Sequence, residues 1–91
     1  VEFNATAPSI QKERRLQRMA SAMGLDTGAD IPQAIKDLNQ RLGLPSGLRA
    51  MGVQEDWLEA IIAGAMADHC HKTNPRIATA EDYRVMLQRS M

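Results

Sequence analysis

The chain has 91 residues with eleven basic and eleven acidic side chains. That balance gives nucleic acid or an anionic membrane surface nothing to grip. A single cysteine excludes an internal disulfide and fits a reducing, cytoplasmic setting, and no apolar run approaches the roughly 20 residues needed to cross a bilayer. Phe3, Trp57 and Tyr83 are the only aromatic rings, so core volume must come from Leu, Ile, Ala and six Met. The length suits one helical domain over residues 1–91, and the start at Val1 rather than Met reads as that of a segment belonging to something longer.

In chain order, Pro8-Ser9 opens a first helix, with Leu16, Met19, Ala20 and Met23 on one stripe. Gly24 closes it where a left-handed residue can satisfy the last carbonyls. Asp30 caps a second helix, Pro32 is tolerated in its first turn, and Gln33 stands at capping-box spacing. Ile35, Leu38 and Leu42 form the stripe, and Gly43-Leu44-Pro45 is a strong stop. Ser46 is placed to cap one short turn over Gly47–Met51, ended by Gly52. A third helix follows the acids Glu55 and Asp56, which favour the positive end of its dipole. Its apolar positions Leu58, Ile61, Ile62, Ala65 and Met66 extend to His69, and its other side carries the small residues Ala60, Ala63, Gly64 and Ala67. Apolar nearly all round, it is expected at the centre of a bundle. Asn74-Pro75 forbids further helix; Thr79 with Asp82 then opens a last helix with Tyr83, Met86 and Leu87 inward. The expected fold is all-α, about four helices plus a short one.

Few residues here suggest chemistry. His69-Cys70-His71 has metal-ligand letters, but neighbours on a helix point about 100° apart and cannot share one ion unless the helix has ended. No second Cys/His cluster exists to complete a four-ligand set, so these residues read as the polar end of a helix. Cys70 as a nucleophile would need a base in reach and a lowered pKa, which a helix C-terminus opposes. Glu55, Asp56, Glu81 and Asp82 lie in first turns, where acids belong for dipole reasons. Arg76 beside Asn74-Pro75 could meet an anion, though a turn explains the same letters. The residues alone assemble no active site, and no catalytic, cofactor-binding or metal-ligating residue is assigned.

The order of the motifs adds more. Gly43-Leu44-Pro45, Gly52-Val53, Glu55-Asp56, Asp68 with Cys70, Asn74-Pro75-Arg76, and Thr79 with Glu81-Asp82 follow one another as they do at the carboxy-terminal end of the iron-containing (group III) alcohol dehydrogenases, and Val1-Glu2-Phe3-Asn4 resembles the stretch shortly after that family's last metal histidine. The resemblance covers nearly the whole chain. It implies the C-terminal part of a dehydroquinate-synthase-like helical domain, in an oxidoreductase that moves a hydride between an alcohol and NAD(P) with a divalent metal, iron or zinc. In the family that metal is held by one aspartate and three histidines, and this register places all four before Val1. The resemblance also implies that Cys70 lines the substrate channel. It makes this segment a non-catalytic wall of the cleft, whose partners are the cofactor-binding and metal-bearing parts of the same enzyme. Without them it is expected to self-associate through an exposed apolar patch. Maleylacetate reductases and glycerol-type dehydrogenases are relatives within the same resemblance. The reading of a different class is an autonomous helical module whose grooves take partner helices.

Overall fold

Helical spacing of Leu, Ile, Met and Ala produces helices throughout. The computed structural model describes all 91 residues and contains five α-helices, four short 3-10 turns and no strand. The helices are α1 (Pro8–Lys12), α2 (Arg15–Ala22), α3 (Ile31–Arg41), α4 (Leu58–Ala67) and α5 (Ala80–Arg89). Two compact units divide the chain, Val1–Leu44 and Pro45–Met91.

In the first unit the helix expected to run unbroken from Pro8 to Gly24 is interrupted. Arg14 adopts a left-handed conformation (φ 49°), unfavourable for a residue with a Cβ. Its N–H donates to the Gln11 carbonyl and its own carbonyl receives the Arg18 N–H, so one helix ends and the next begins at the same residue. Across this corner Arg15 Nε donates to Glu13 Oε2 at 2.9 Å. No glycine or proline marks the break.

The stop signals behave as expected. After α2, Gly24 (φ 70°) lets its own N–H reach the Ser21 carbonyl and the Leu25 N–H reach that of Ala20. After α3 the same pair forms from Gly43 to Gln40 and from Leu44 to Asn39. Both are the double C-terminal closure that a left-handed glycine permits. Asp30 caps α3, its Oδ1 accepting the Gln33 N–H at 3.0 Å. Gln33 does not close a capping box; its amide turns forward to Asp37 at 2.8 Å. Ala7, Ala20 and Ile31 are the fully buried apolar residues of this unit.

The second unit begins with a close backbone approach. Leu48 N–H donates to the Ser90 carbonyl at 2.7 Å, and a Cβ on Gly47 would lie 2.9 Å from that same oxygen. Glycine is required there because the far end of α5 occupies the space. The short turn covers Arg49–Met51, is ended by Gly52 at φ 87°, and has no side-chain cap, so Ser46 does not play the capping role its position suggested.

A 3-10 turn at Glu55–Trp57 leads into α4, which buries Leu58 and Ile62. The rest of α4 departs from expectation. Ala60, Ile61, Ala63, Gly64 and Ala67 are exposed, so the helix is buried along one side only and is not central. It also stops at Ala67, before His69. Asp68 turns to an extended conformation (φ −67°, ψ 135°), and its carboxylate accepts the Cys70 N–H at 2.6 Å. That acceptor starts a new 3-10 turn, His69–Thr73, and carries His69 off the apolar stripe.

α5 packs against α4 and opens on a complete capping box. Thr79 Oγ1 accepts the Asp82 N–H at 3.1 Å, and Asp82 Oδ2 accepts the Thr79 N–H at 2.9 Å, satisfying two otherwise orphaned donors reciprocally. Ala78, just ahead of the cap, is buried.

Candidate functional site

The turn after α4 carries the residues singled out by sequence. Asp68 Oδ1 anchors the turn through the Cys70 N–H, and Thr73 Oγ1 donates to the Cys70 carbonyl at 2.9 Å. His71 is pinned from the other side: its Nδ1 lies 3.1 Å from the Tyr83 hydroxyl, and the two rings are tilted with centroids 5.8 Å apart. The turn is thereby tied to α5. The His69 side chain, by contrast, is 93% exposed. Asn74 Nδ2 donates to the Arg76 carbonyl, closing the Asn74-Pro75-Arg76 turn, and Arg76 Nη2 reaches Asp82 Oδ1 at 3.2 Å. Arg76 is thus engaged with the start of α5.

Cys70 is exposed. Hydrogen bonding to the Asp68 carboxylate, with its negative charge, pushes the thiol pKa above its ordinary value. His69 Nε2 lies 3.4 Å from Sγ, but the carboxylate opposes a thiolate, so Cys70 is not arranged as a nucleophile.

Sequence reading missed the charged cluster that joins α4 to α5. Arg84 donates through Nε and Nη2 to the two oxygens of Glu59 at 3.0 and 2.9 Å, and through Nη1 to Glu81 at 2.6 Å. Such forked pairing is the strong geometry available to a guanidinium. It holds the Arg84 pKa above its usual value and the Glu59 carboxyl below its own, each through the hydrogen bonds first. The spacing of Glu81 and Arg84 announces one of these contacts, but the Glu59 contact spans 25 residues and has no local signal. Beside this cluster lies a cavity of about 320 Å³ whose lining includes Arg49, Glu55, Glu59 and Arg84. Arg49 is paired with Glu55 at 2.6 Å, so both arginines of this lining are ion-paired. Glu55, read from sequence as a first-turn acid, therefore has a specific partner as well.

Asp68 with Cys70, the Asn74-Pro75-Arg76 turn and the Thr79 cap thus follow one another on the structure in the order read from the sequence. Residues 1–91 match the Fe-containing alcohol dehydrogenase family, C-terminal, and the chain belongs to that family. It is 56% identical to a 4-hydroxybutyrate dehydrogenase of Cupriavidus necator over 91 residues, all of this chain and 24% of that protein. It is 33% identical to an NAD-dependent methanol dehydrogenase of Bacillus methanolicus over 90 residues, again 24% of that protein. Over 50 residues, 55% of this chain and 13% of the other, it is 40% identical to a lactaldehyde reductase of Escherichia coli (strain K12). The chain spans about a quarter of the length of the first two relatives. No solved structure shows a significant match.

The residues of this chain do not by themselves complete the metal set or the dinucleotide fold that the resemblance implies. A set of one aspartate and three histidines exceeds its two histidines, of which His71 is occupied by Tyr83. A dinucleotide site of the strand–turn–helix kind needs a strand, and none is present. No helix is long and apolar enough to cross a membrane.

Proposed function

We propose that this chain is the carboxy-terminal helical part of a metal-requiring, NAD(P)-dependent dehydrogenase that moves a hydride between the cofactor and a small alcohol or hydroxy acid. The observation carrying this reading is family membership over the full 91 residues together with 56% identity to a 4-hydroxybutyrate dehydrogenase. An NAD-dependent relative supports the cofactor class. Within such an enzyme the segment is scaffold: it walls the substrate cleft, with the exposed turn at Cys70 as its channel-lining edge, while metal and nicotinamide are bound by other parts of the polypeptide.

The exposed side of α4 supports the partner assignment. Ala60, Ile61, Ala63, Gly64 and Ala67 offer an apolar, small-residue surface that lets a neighbouring backbone approach closely, and Trp57 stands 48% exposed one turn before Ile61. The rest of the same enzyme is the partner that covers it.

The test is turnover. The 91-residue chain, supplied with NAD⁺ or NADP⁺, ferrous iron or zinc, and 4-hydroxybutyrate or a primary alcohol, should produce no reduced nicotinamide. The longer polypeptide containing it should produce it. Turnover by the 91 residues alone would overturn the reading.

A further inference from the structure

We propose that Asp68, His69 and Cys70 form a surface site for one borderline-soft divalent cation of the zinc class, with the remaining position open to solvent. The site is separate from the family's aspartate–histidine set, which this chain does not contain, and the inference does not depend on the dehydrogenase reading.

Three successive residues cannot share an ion while they lie on one α-helix, since their side chains fan out by about 100° per residue. Here the helix has ended. α4 stops at Ala67, Asp68 is extended, and the next residues wind into a 3-10 turn. As a result one ligand atom from each of Asp68, His69 and Cys70 lies within 4.8 Å of the other two. The closest approach, 3.4 Å between His69 Nε2 and Cys70 Sγ, is about the edge of a tetrahedron whose centre is roughly 2.0–2.1 Å from nitrogen and 2.3 Å from sulfur. Asp68 Oδ1 lies 3.6 Å from the opposite ring nitrogen, Nδ1; since one ion takes only one ring nitrogen, convergence of all three donors rests on the 4.8 Å spread. A carboxylate, an imidazole and a thiol are together a donor set that zinc accepts and that magnesium or calcium does not prefer.

The turn beneath these donors is held in place. Asp68 is fixed through the Cys70 N–H, the Cys70 carbonyl by Thr73, and His71 by Tyr83. The backbone beneath the donors is therefore already ordered, which leaves the side-chain rotamers as the main ordering cost of binding. Packing does not account for His69, whose side chain is almost wholly exposed. The carboxylate that disfavours a bare thiolate at Cys70 favours a cation there, and a bound cation in turn makes the thiolate the preferred form.

Cobalt(II), a spectroscopic stand-in for zinc, tests the site directly on the 91-residue chain. One equivalent should bind with a near-ultraviolet thiolate-to-cobalt band that excess zinc abolishes. Cys70→Ser should remove the band. His69→Ala and Asp68→Asn should each weaken binding about tenfold or more. All three side chains are exposed, and an asparagine can still accept the Cys70 N–H, so none of these variants should disturb folding; unchanged helical circular dichroism checks that. The proposal is overturned if no thiolate band appears, or if binding is as strong in His69→Ala and Asp68→Asn as in the parent.

Discussion

Thr79 and Asp82 exchange hydrogen bonds at the start of α5, and their energetics can be separated. Removing the threonine hydroxyl in Thr79→Ala leaves the Asp82 N–H without its side-chain acceptor, at a cost of about 1 kcal/mol, read as a lower urea midpoint. The Asp82 carboxyl is held below its ordinary range by the Thr79 backbone N–H, then by the Thr79 side chain, with Arg76 adding to the effect. A carboxyl depressed in the folded state stabilises it fully above the unfolded pKa, about 3.9, and loses that contribution as pH falls through the lower folded value. Acid titration of the parent should therefore show a loss below about pH 4 that is smaller in Asp82→Asn, measured as the difference in thermal midpoint against pH. Cys70 gives the opposite sign at the same scale. Its thiol is raised by Asp68, so alkylation by iodoacetamide near neutral pH should be slower than for a free thiol and should accelerate in Asp68→Asn. A rate unchanged by that substitution would remove Asp68 as the cause.

At the scale of elements, the boundaries that were legible are those written in special residues. Gly24, Gly43 and Gly52 stop helices or turns at positive φ, Asp30 and Thr79 start them through side-chain oxygens, and each is a local signal. The all-α fold follows from the spacing of the apolar residues between these markers. What could not be read lacks such a marker. The break at Arg14 lies in a run of charged residues with good helix propensity, and nothing local forbids continuing. The early end of α4 depends on Asp68 choosing to cap a new turn, which competes with helix by a margin too small to read from letters. That choice also decides the site, because it swings His69 and Cys70 off the helix and toward each other. The Glu59–Arg84 clamp was invisible for a different reason, being a contact across 25 residues. Arg14 offers a test of the strained corner. Glycine tolerates positive φ without the Cβ penalty, so Arg14→Gly should raise stability by up to about 1 kcal/mol. If α1 and α2 instead preferred to run on as one helix, the same substitution would lower stability and helical circular dichroism.

For the whole molecule the decisive quantity is the apolar surface left uncovered. The buried apolar residues are Ala7, Ala20, Ile31, Leu58, Ile62 and Ala78, half of them alanine, whereas thirteen large hydrophobic side chains, Trp57, Ile61, Met66 and Val85 among them, remain more than a third exposed. Single exposed hydrophobics are ordinary on any surface. A helix such as α4, whose outward side is made of Ala60, Ile61, Ala63, Gly64 and Ala67, is not, because polar residues normally occupy that side. Burial of such a surface is worth about 25 cal/mol per Å² of apolar area, and two copies of the chain can bury it against each other when nothing else covers it. The 91-residue chain on its own should therefore associate, its mass by sedimentation or light scattering rising with concentration. Replacing Trp57 and Ile61 together by glutamine should reduce that association while leaving helical circular dichroism unchanged, since neither side chain is in the buried set. A parent that stays monomeric at high concentration would show that this surface needs no partner, and the scaffold assignment would lose its structural support.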